Sequence, residues 1–240
     1  MRRVQFAPIS SAIAGTAAAT VLGLAAGSWD RSWAPAVGWL VALSYLVVSN
    51  ALLVRGLRSR NSTRFGPANR VTAVRSTLVG MISGIVVASF VAPVPTTLMM
   101  ALVVPALVLD AVDGWVARHT NSTSELGARF DMEVDAFLLL VLSVYVSKNL
   151  GTWVLAIGTM RYLFVIAGWI FPWLRRQLPS RYWRKVVTAV QGIALATAAT
   201  RLLPGLDALL VALALVLLLE SFGRDVLWLA ARRSEPVRFR

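Results

Sequence analysis

Apolar residues run through this chain in long, nearly unbroken blocks, separated by short polar, proline-bearing or arginine-rich segments. Eight blocks can be drawn, at roughly 9–27, 34–54, 70–92, 96–118, 127–148, 152–174, 186–203 and 206–230. A helix of about 20 mostly apolar residues crosses the hydrocarbon of a bilayer. Barrel strands are only about ten residues long and alternate in polarity, which these blocks do not, and helix is the other form that satisfies every backbone group in lipid. The pattern therefore predicts an all-α integral membrane protein, folded as a polytopic helical bundle.

The breaks differ in charge. Arg55, Arg58, Arg60, Arg64, Arg70 and Arg75 flank one, and Arg118 and Arg129 another. Arg175, Arg176, Arg181, Arg184 and Lys185 fill a third, and Arg232, Arg233, Arg238 and Arg240 the tail. The breaks between them, at Pro93–Pro95, Lys148–Asn149 and Pro204, carry almost no charge. Basic loops stay in the cytoplasm, so the basic breaks and both termini are expected there, in the cell (inner) membrane of a bacterium-like topology. The first block, after Met1-Arg2-Arg3, has both the length of a secretory signal and the small-residue spacing of a packed membrane helix. The immediate start of a second block favours a retained helix. Residues 1–60 thus form an N-terminal hydrophobic extension of one or two helices with a basic connector, and 61–235 the main transmembrane domain.

Composition sharpens this picture. Hydrophobic residues make up 58% of the chain and charged residues 15%, against about 25% charged in ordinary soluble domains. The formal net charge of +13 is spread over the breaks rather than gathered into a nucleic-acid-binding domain, and such clusters attract anionic lipid head groups. Nucleic acid is accordingly excluded as the main partner. Cysteine is absent and His119 is the one histidine. Any metal must rest on oxygen ligands, which suits hard ions such as magnesium or manganese.

Acidic residues inside membrane spans are rare and usually functional. Here Asp110 and Asp113 stand at i and i+3, with Ala117 on the same helical face, and Gly127, Asp131 and Asp135 at i, i+4 and i+8 on another. The short connection from His119 to Leu126 makes the two helices antiparallel neighbours, so their acidic faces converge. Four carboxylates in a low dielectric repel one another strongly, and divalent cations relieve that repulsion. A pair of metal ions about 3.5–4 Å apart suits a diphosphate substrate, with one carboxylate left to act as general base. Gly114 and Gly127 remove side chains where a nucleotide backbone could approach, and Arg118 can contact phosphate oxygens.

The run Asp110-Ala-Val-Asp113-Gly114-Trp-Val-Ala117-Arg118, followed after eight residues by Gly127-Ala-Arg-Phe-Asp131-Met-Glu-Val-Asp135, resembles the signature of the CDP-alcohol phosphotransferase family, D-x2-D-G-x2-A-R-x8-G-x3-D-x3-D, at every fixed position. Asn69-Arg-Val-Thr72-Ala-Val-Arg75 also resembles the N-x2-T-x2-R opening of the family's first core helix. The resemblance implies six core transmembrane helices, over roughly 70–230, and a homodimer. It implies two divalent cations, Mg2+ or Mn2+, held by Asp110, Asp113, Asp131 and Asp135, with Asp135 also the catalytic base. Gly114, Ala117, Arg118 and Gly127 would shape the CDP pocket with Asp110, and Asn69 and Thr72 would lie beside it. The implied reaction is attack by an acceptor hydroxyl on a CDP-alcohol, releasing CMP, with CDP-diacylglycerol as the leading donor in phospholipid synthesis. Transfer of a CDP-aminoalcohol to diacylglycerol is the alternative within the family, and a cation transporter with an acidic intramembrane site the alternative outside it.

The acceptor is less legible. Arg161 lies mid-block, where a cation needs a partner or a watery cavity, and with Arg184 and Lys185 it is the candidate contact for an anionic acceptor. The residues after Asp135 are Ala136-Phe137, without the lysine that phosphatidylglycerophosphate synthases carry there. Glu133 points off the Asp131–Asp135 face, and Gln191 and Glu220 are polar positions that could line a cavity or bond across helices. Tryptophans such as Trp29, Trp33, Trp39, Trp173 and Trp183 fit an interfacial belt.

Overall fold

The computed structural model describes residues 34–59, 67–119, 125–176, 178–179 and 182–232, and within these the side chains of 34–35, 50, 52–59, 67–70, 113–119 and 125–126 stay undescribed. The first apolar block, with Trp29 and Trp33, and the connector 60–66 therefore lie outside the described residues. The described residues form seven α-helices and no strand. They are α1 (Ala34–Ser59), α2 (Pro67–Ala88), α3 (Thr96–His119), α4 (Glu125–Leu150), α5 (Leu155–Ile170), α6 (Tyr182–Thr200) and α7 (Asp207–Ala231). Each falls on one of the apolar blocks. Short 3-10 turns at Thr152–Val154 and Pro172–Arg175 flank α5.

Two helices are long and apolar enough to cross a bilayer, over Val71–Ala88 and Thr152–Ile170. Shorter apolar helical stretches run over Ala36–Ser49 and Thr96–Val112. Length and composition of the described helices alone therefore do not establish the expected count of six core spans. The exposed surface is nonetheless apolar. On α7, Leu209, Leu213, Val216 and Leu219 follow helical spacing and are all more than half exposed. Contiguous apolar faces of this kind are unusual on water-facing monomers.

The chain divides into two compact units, Met1–Val141 and Leu142–Arg240, with the boundary inside α4. In the first, α2 is the central helix. Its inward stripe of Val79, Ile82 and Val86 is at most 2% exposed, and it packs on α1 on one side and α3 on the other. The α1–α2 crossing depends on two glycines. A Cβ on Gly38 would fall 2.5 Å from the carbonyl oxygen of Gly84, and a Cβ on Gly84 would strike Gly38 in return. Backbones this close leave room for hydrogen only, which is the close-packing device of membrane helices.

In the second unit α6 packs on α7, alanines 194, 196, 198 and 199 of α6 are buried, and α5 meets α7 through an edge-to-face contact of Phe164 and Phe222. Gly151, with φ of +99°, lets the chain leave α4 and enter the 3-10 turn in a conformation that costs other residues dearly.

These contacts make opposite forecasts for two glycines. Gly84→Leu should lower the melting temperature of the detergent-purified protein clearly, because overpacking costs about 1–3 kcal/mol and here the obstacle is backbone. Gly223→Ala, where a Cβ meets nothing within 4 Å, should leave it unchanged or raise it slightly through helix propensity. Thermal unfolding followed by tryptophan fluorescence checks both.

Candidate active site

Asp110 stands near the C-terminal end of α3, and Asp131 and Asp135 one turn apart near the start of α4. Spacing by four residues stacks the latter two on one helical face. The three residues each offer a carboxylate oxygen such that all three oxygens lie within 4.8 Å of one another. Their side chains keep partial access to solvent, 48% for Asp110, 37% for Asp131 and 29% for Asp135. The cluster thus has a closed back and an open front.

The back is closed by a residue that the pattern of basic breaks had grouped with the flanking arginines. Arg75 is not at a helix margin. It lies on α2, fully buried, on the same inward stripe as Thr72, Val79 and Ile82. Its Nη1 donates to Asp110 Oδ1 at 2.5 Å. Its Nη2 donates to Asp131 Oδ1, reaches Asp135 Oδ1 at 2.8 Å, and lies 3.4 Å from the Asp131 carbonyl oxygen. One guanidinium therefore ties α2, α3 and α4 together. Its Nε has no acceptor among the described residues, so the terminal nitrogens carry the interaction.

The sequence did hold a signal for this residue. Arg75 sits three positions after Thr72 and four before Val79, in phase with the buried stripe, and it closes the N-x2-T-x2-R run. Basic-residue counting hid that phase.

Other predicted site residues are placed as follows. Thr72 is buried on α2, one turn before Arg75, and Gly127 is buried in the first turn of α4. The side chains of Asn69, Asp113, Gly114, Ala117 and Arg118 lie outside the described residues. In the second unit, Arg161 is half-buried on α5, and Arg184 and Lys185 occupy the first turn of α6. Arg184 is already engaged, donating to Asp225 Oδ2 at 3.5 Å and to the Pro179 carbonyl, whereas Lys185 is exposed. Glu220 pairs with Arg224 and accepts from Trp183 Nε1 at 3.0 Å. Gln191 is 3% exposed, and its Nε2 has no acceptor among the described residues. Glu133 is exposed between the two aspartates of α4.

Three carboxylates and one guanidinium sum to a formal charge of −2. The donors are all oxygen, the front is open, and a cation already sits against the back. That set fits a hard divalent ion of the magnesium or manganese kind.

Apolar helices thus surround a carboxylate centre drawn from two of them, with an arginine from a third, an arrangement suited to holding a divalent cation. The CDP-alcohol phosphatidyltransferase family matches residues 65–222, and the chain belongs to that family. Its members are phosphatidyltransferases of phospholipid synthesis that use divalent cations. Among curated proteins, the CDP-diacylglycerol–serine O-phosphatidyltransferases of two Helicobacter pylori strains are 42% identical to this chain over 72 residues. The match covers 28% of this chain and 29% of theirs, so the likeness spans under a third of the relatives' length. No solved structure matches the chain.

Removing the arginine exposes what it holds. Arg75→Gln should lower the melting temperature of the purified protein by several degrees, since stripping a buried ion pair of one partner costs about 3–5 kcal/mol and the partial exposure of these carboxylates reduces that. Arg75→Lys should recover only part, because one ammonium cannot reproduce the two-nitrogen fork.

Proposed function

We propose that this protein transfers a phosphatidyl group from CDP-diacylglycerol to an alcohol and releases CMP. The single observation that carries the reading is the convergence of Asp110, Asp131 and Asp135 on one point in a chain of this family. Asp113, on the same face of α3 by spacing, would complete the set. When bound, two divalent cations supply charge stabilisation for the diphosphate and its departing CMP.

The chain's own residues have separable tasks. Arg75 holds the three carboxylates in register from behind, so they stay aimed at the open front. Asp135, least exposed of the three, takes the proton of the acceptor hydroxyl. The freed oxygen forms a bond to the phosphorus joined to the donor alcohol, the bond from that phosphorus to the bridging oxygen breaks, and CMP leaves with that oxygen. Gly114, Ala117 and Gly127 leave room for the cytidine nucleotide, Arg118 contacts its phosphates, and Asn69 and Thr72 border it.

Lipid chains of the donor would lie along the apolar helix faces, and the basic breaks would turn the site to the cytoplasmic side of the cell membrane. The homodimer expected of the family also belongs to this reading.

Two directions are open for the acceptor. The relatives in Helicobacter pylori carry serine in their names. Arg161, Arg184 and Lys185 suggest an anionic alcohol, but Arg184 already spends charge on Asp225, which favours a small zwitterion such as serine over a phosphate-bearing acceptor.

Asp131→Asn should reduce CMP release by about a hundredfold to a thousandfold, the size of loss seen when a group that stabilises transition-state charge is removed, in protein reconstituted with CDP-diacylglycerol. Near-normal turnover would defeat the reading, and cation flux without nucleotide turnover would replace it with transport. An acceptor screen read by lipid mass spectrometry assigns the alcohol. Chelation should silence the enzyme, and Mg2+ or Mn2+ should restore it. If serine is the acceptor, Arg161→Ala should leave its KM unchanged, whereas an anionic acceptor should show a raised one.

A further inference from the structure

Helix α1 lies upstream of the family-matched residues 65–222, yet its inner face reaches both helices that build the back of the site. The Tyr45 ring stacks on Phe137, with centroids 4.5 Å apart and planes 10° from parallel. Phe137 is two residues beyond Asp135 on α4. Ser76, the residue after Arg75 on α2, bonds to Ser49 of α1 at 3.0 Å and donates to the Tyr45 hydroxyl at 3.4 Å. Tyr45 also has no slack toward α2, since a Cβ added to Gly80 would meet its Cδ1 at 3.0 Å. The Gly38–Gly84 crossing fixes where α1 lies along α2, and Tyr45 comes two turns later on the same face.

We propose that Tyr45 is a positioning residue for the carboxylate cluster, clamping α4 at Phe137 and α2 at Ser76 and thereby fixing the gap between Arg75 and Asp135. This inference rests on the metal-binding reading of the cluster. The physical reason is a division of labour. Arg75 joins α2 to α4 through charge alone, and charge contacts rearrange when cations load the cluster. A stacked aromatic pair is indifferent to that change, because its strength comes from buried area and ring contact. Asp135 lies 2.8 Å from Arg75, so a shift of α4 by about one ångström, enough to spoil a positioned group, would break the contact. The clamp keeps the helices at their spacing in both the loaded and the unloaded state.

The test is Mn2+ binding to the full-length protein in lipid nanodiscs, followed by electron paramagnetic resonance, with melting temperature measured alongside. Tyr45→Ala and Phe137→Leu should each weaken Mn2+ binding about tenfold, the low end for groups that orient metal ligands. Tyr45→Phe keeps the stack but loses the Ser76 contact, and should bind Mn2+ more tightly than Tyr45→Ala and more weakly than wild type. Leu46→Ala truncates a side chain only 2% exposed on the same helix. It should lower the melting temperature as much as Tyr45→Ala while leaving Mn2+ affinity within about twofold. Wild-type affinity in whichever of Tyr45→Ala and Phe137→Leu folds would overturn the clamp, as would equal weakening in Leu46→Ala. A wild-type protein that binds no Mn2+ at all would overturn the metal reading and the clamp together.

Discussion

The fold of the first unit turns on one fully buried guanidinium set against three carboxylates. At an effective dielectric of about 20, a pair of opposite charges near 3 Å is worth about 5 kcal/mol, and like charges nearly 5 Å apart repel by about 3 kcal/mol. Three attractions through Arg75 offset much of the mutual repulsion of Asp110, Asp131 and Asp135, whose oxygens lie within 4.8 Å of one another. The four side chains together sum to a formal charge of −2, and the carboxylates keep partial access to solvent. The same residue that makes the cluster foldable leaves it hungry for a divalent ion. A neutral residue at position 75 would leave the three carboxylates with no positive charge behind them and raise their mutual repulsion.

The rest of the unit serves that arrangement. Arg75 can be buried only because α2 is central, with α1 and α3 packed on either flank. Centrality in turn requires a close approach on the α1 side, which Gly38 and Gly84 provide. On the other side the acids arrive from helices that follow one another in the chain, so the short 119–126 connection is enough to bring Asp110 opposite Asp131. The expense of a buried charge and the tolerance of a backbone-to-backbone crossing are thus two sides of one construction.

The helices and the acidic faces were legible in the sequence for separate reasons. Long apolar blocks translate directly into α2 to α7, because a helix needs only its own residues to satisfy its backbone. Asp131 and Asp135 share a face by arithmetic, and Asp110 joins them through a connection too short to permit much else. Arg75 was not read as part of the site, since an arginine near an arginine-rich break looks like a loop residue until the phase of its helix is counted. Tyr45 and Phe137 were illegible for a deeper reason. They are 92 positions apart, each an ordinary aromatic in an apolar helix, and only tertiary packing pairs them. Among the described residues, Val71–Ala88 and Thr152–Ile170 are long and apolar enough to cross a bilayer, and span length alone does not fix the number of core helices.

The two units also differ in how they place charge. The first concentrates acids on a buried arginine, which suits a centre that binds cations and, through them, a diphosphate. The second pairs Arg184 with Asp225 and Arg224 with Glu220, and leaves Lys185 exposed. A paired cation offers direction but little net field, so such residues discriminate by hydrogen-bond geometry more than by attraction. A missing or misplaced donor in such a pair is penalised far more than a missing methylene, so the pairs on α6 and α7 are held by geometry as much as by charge.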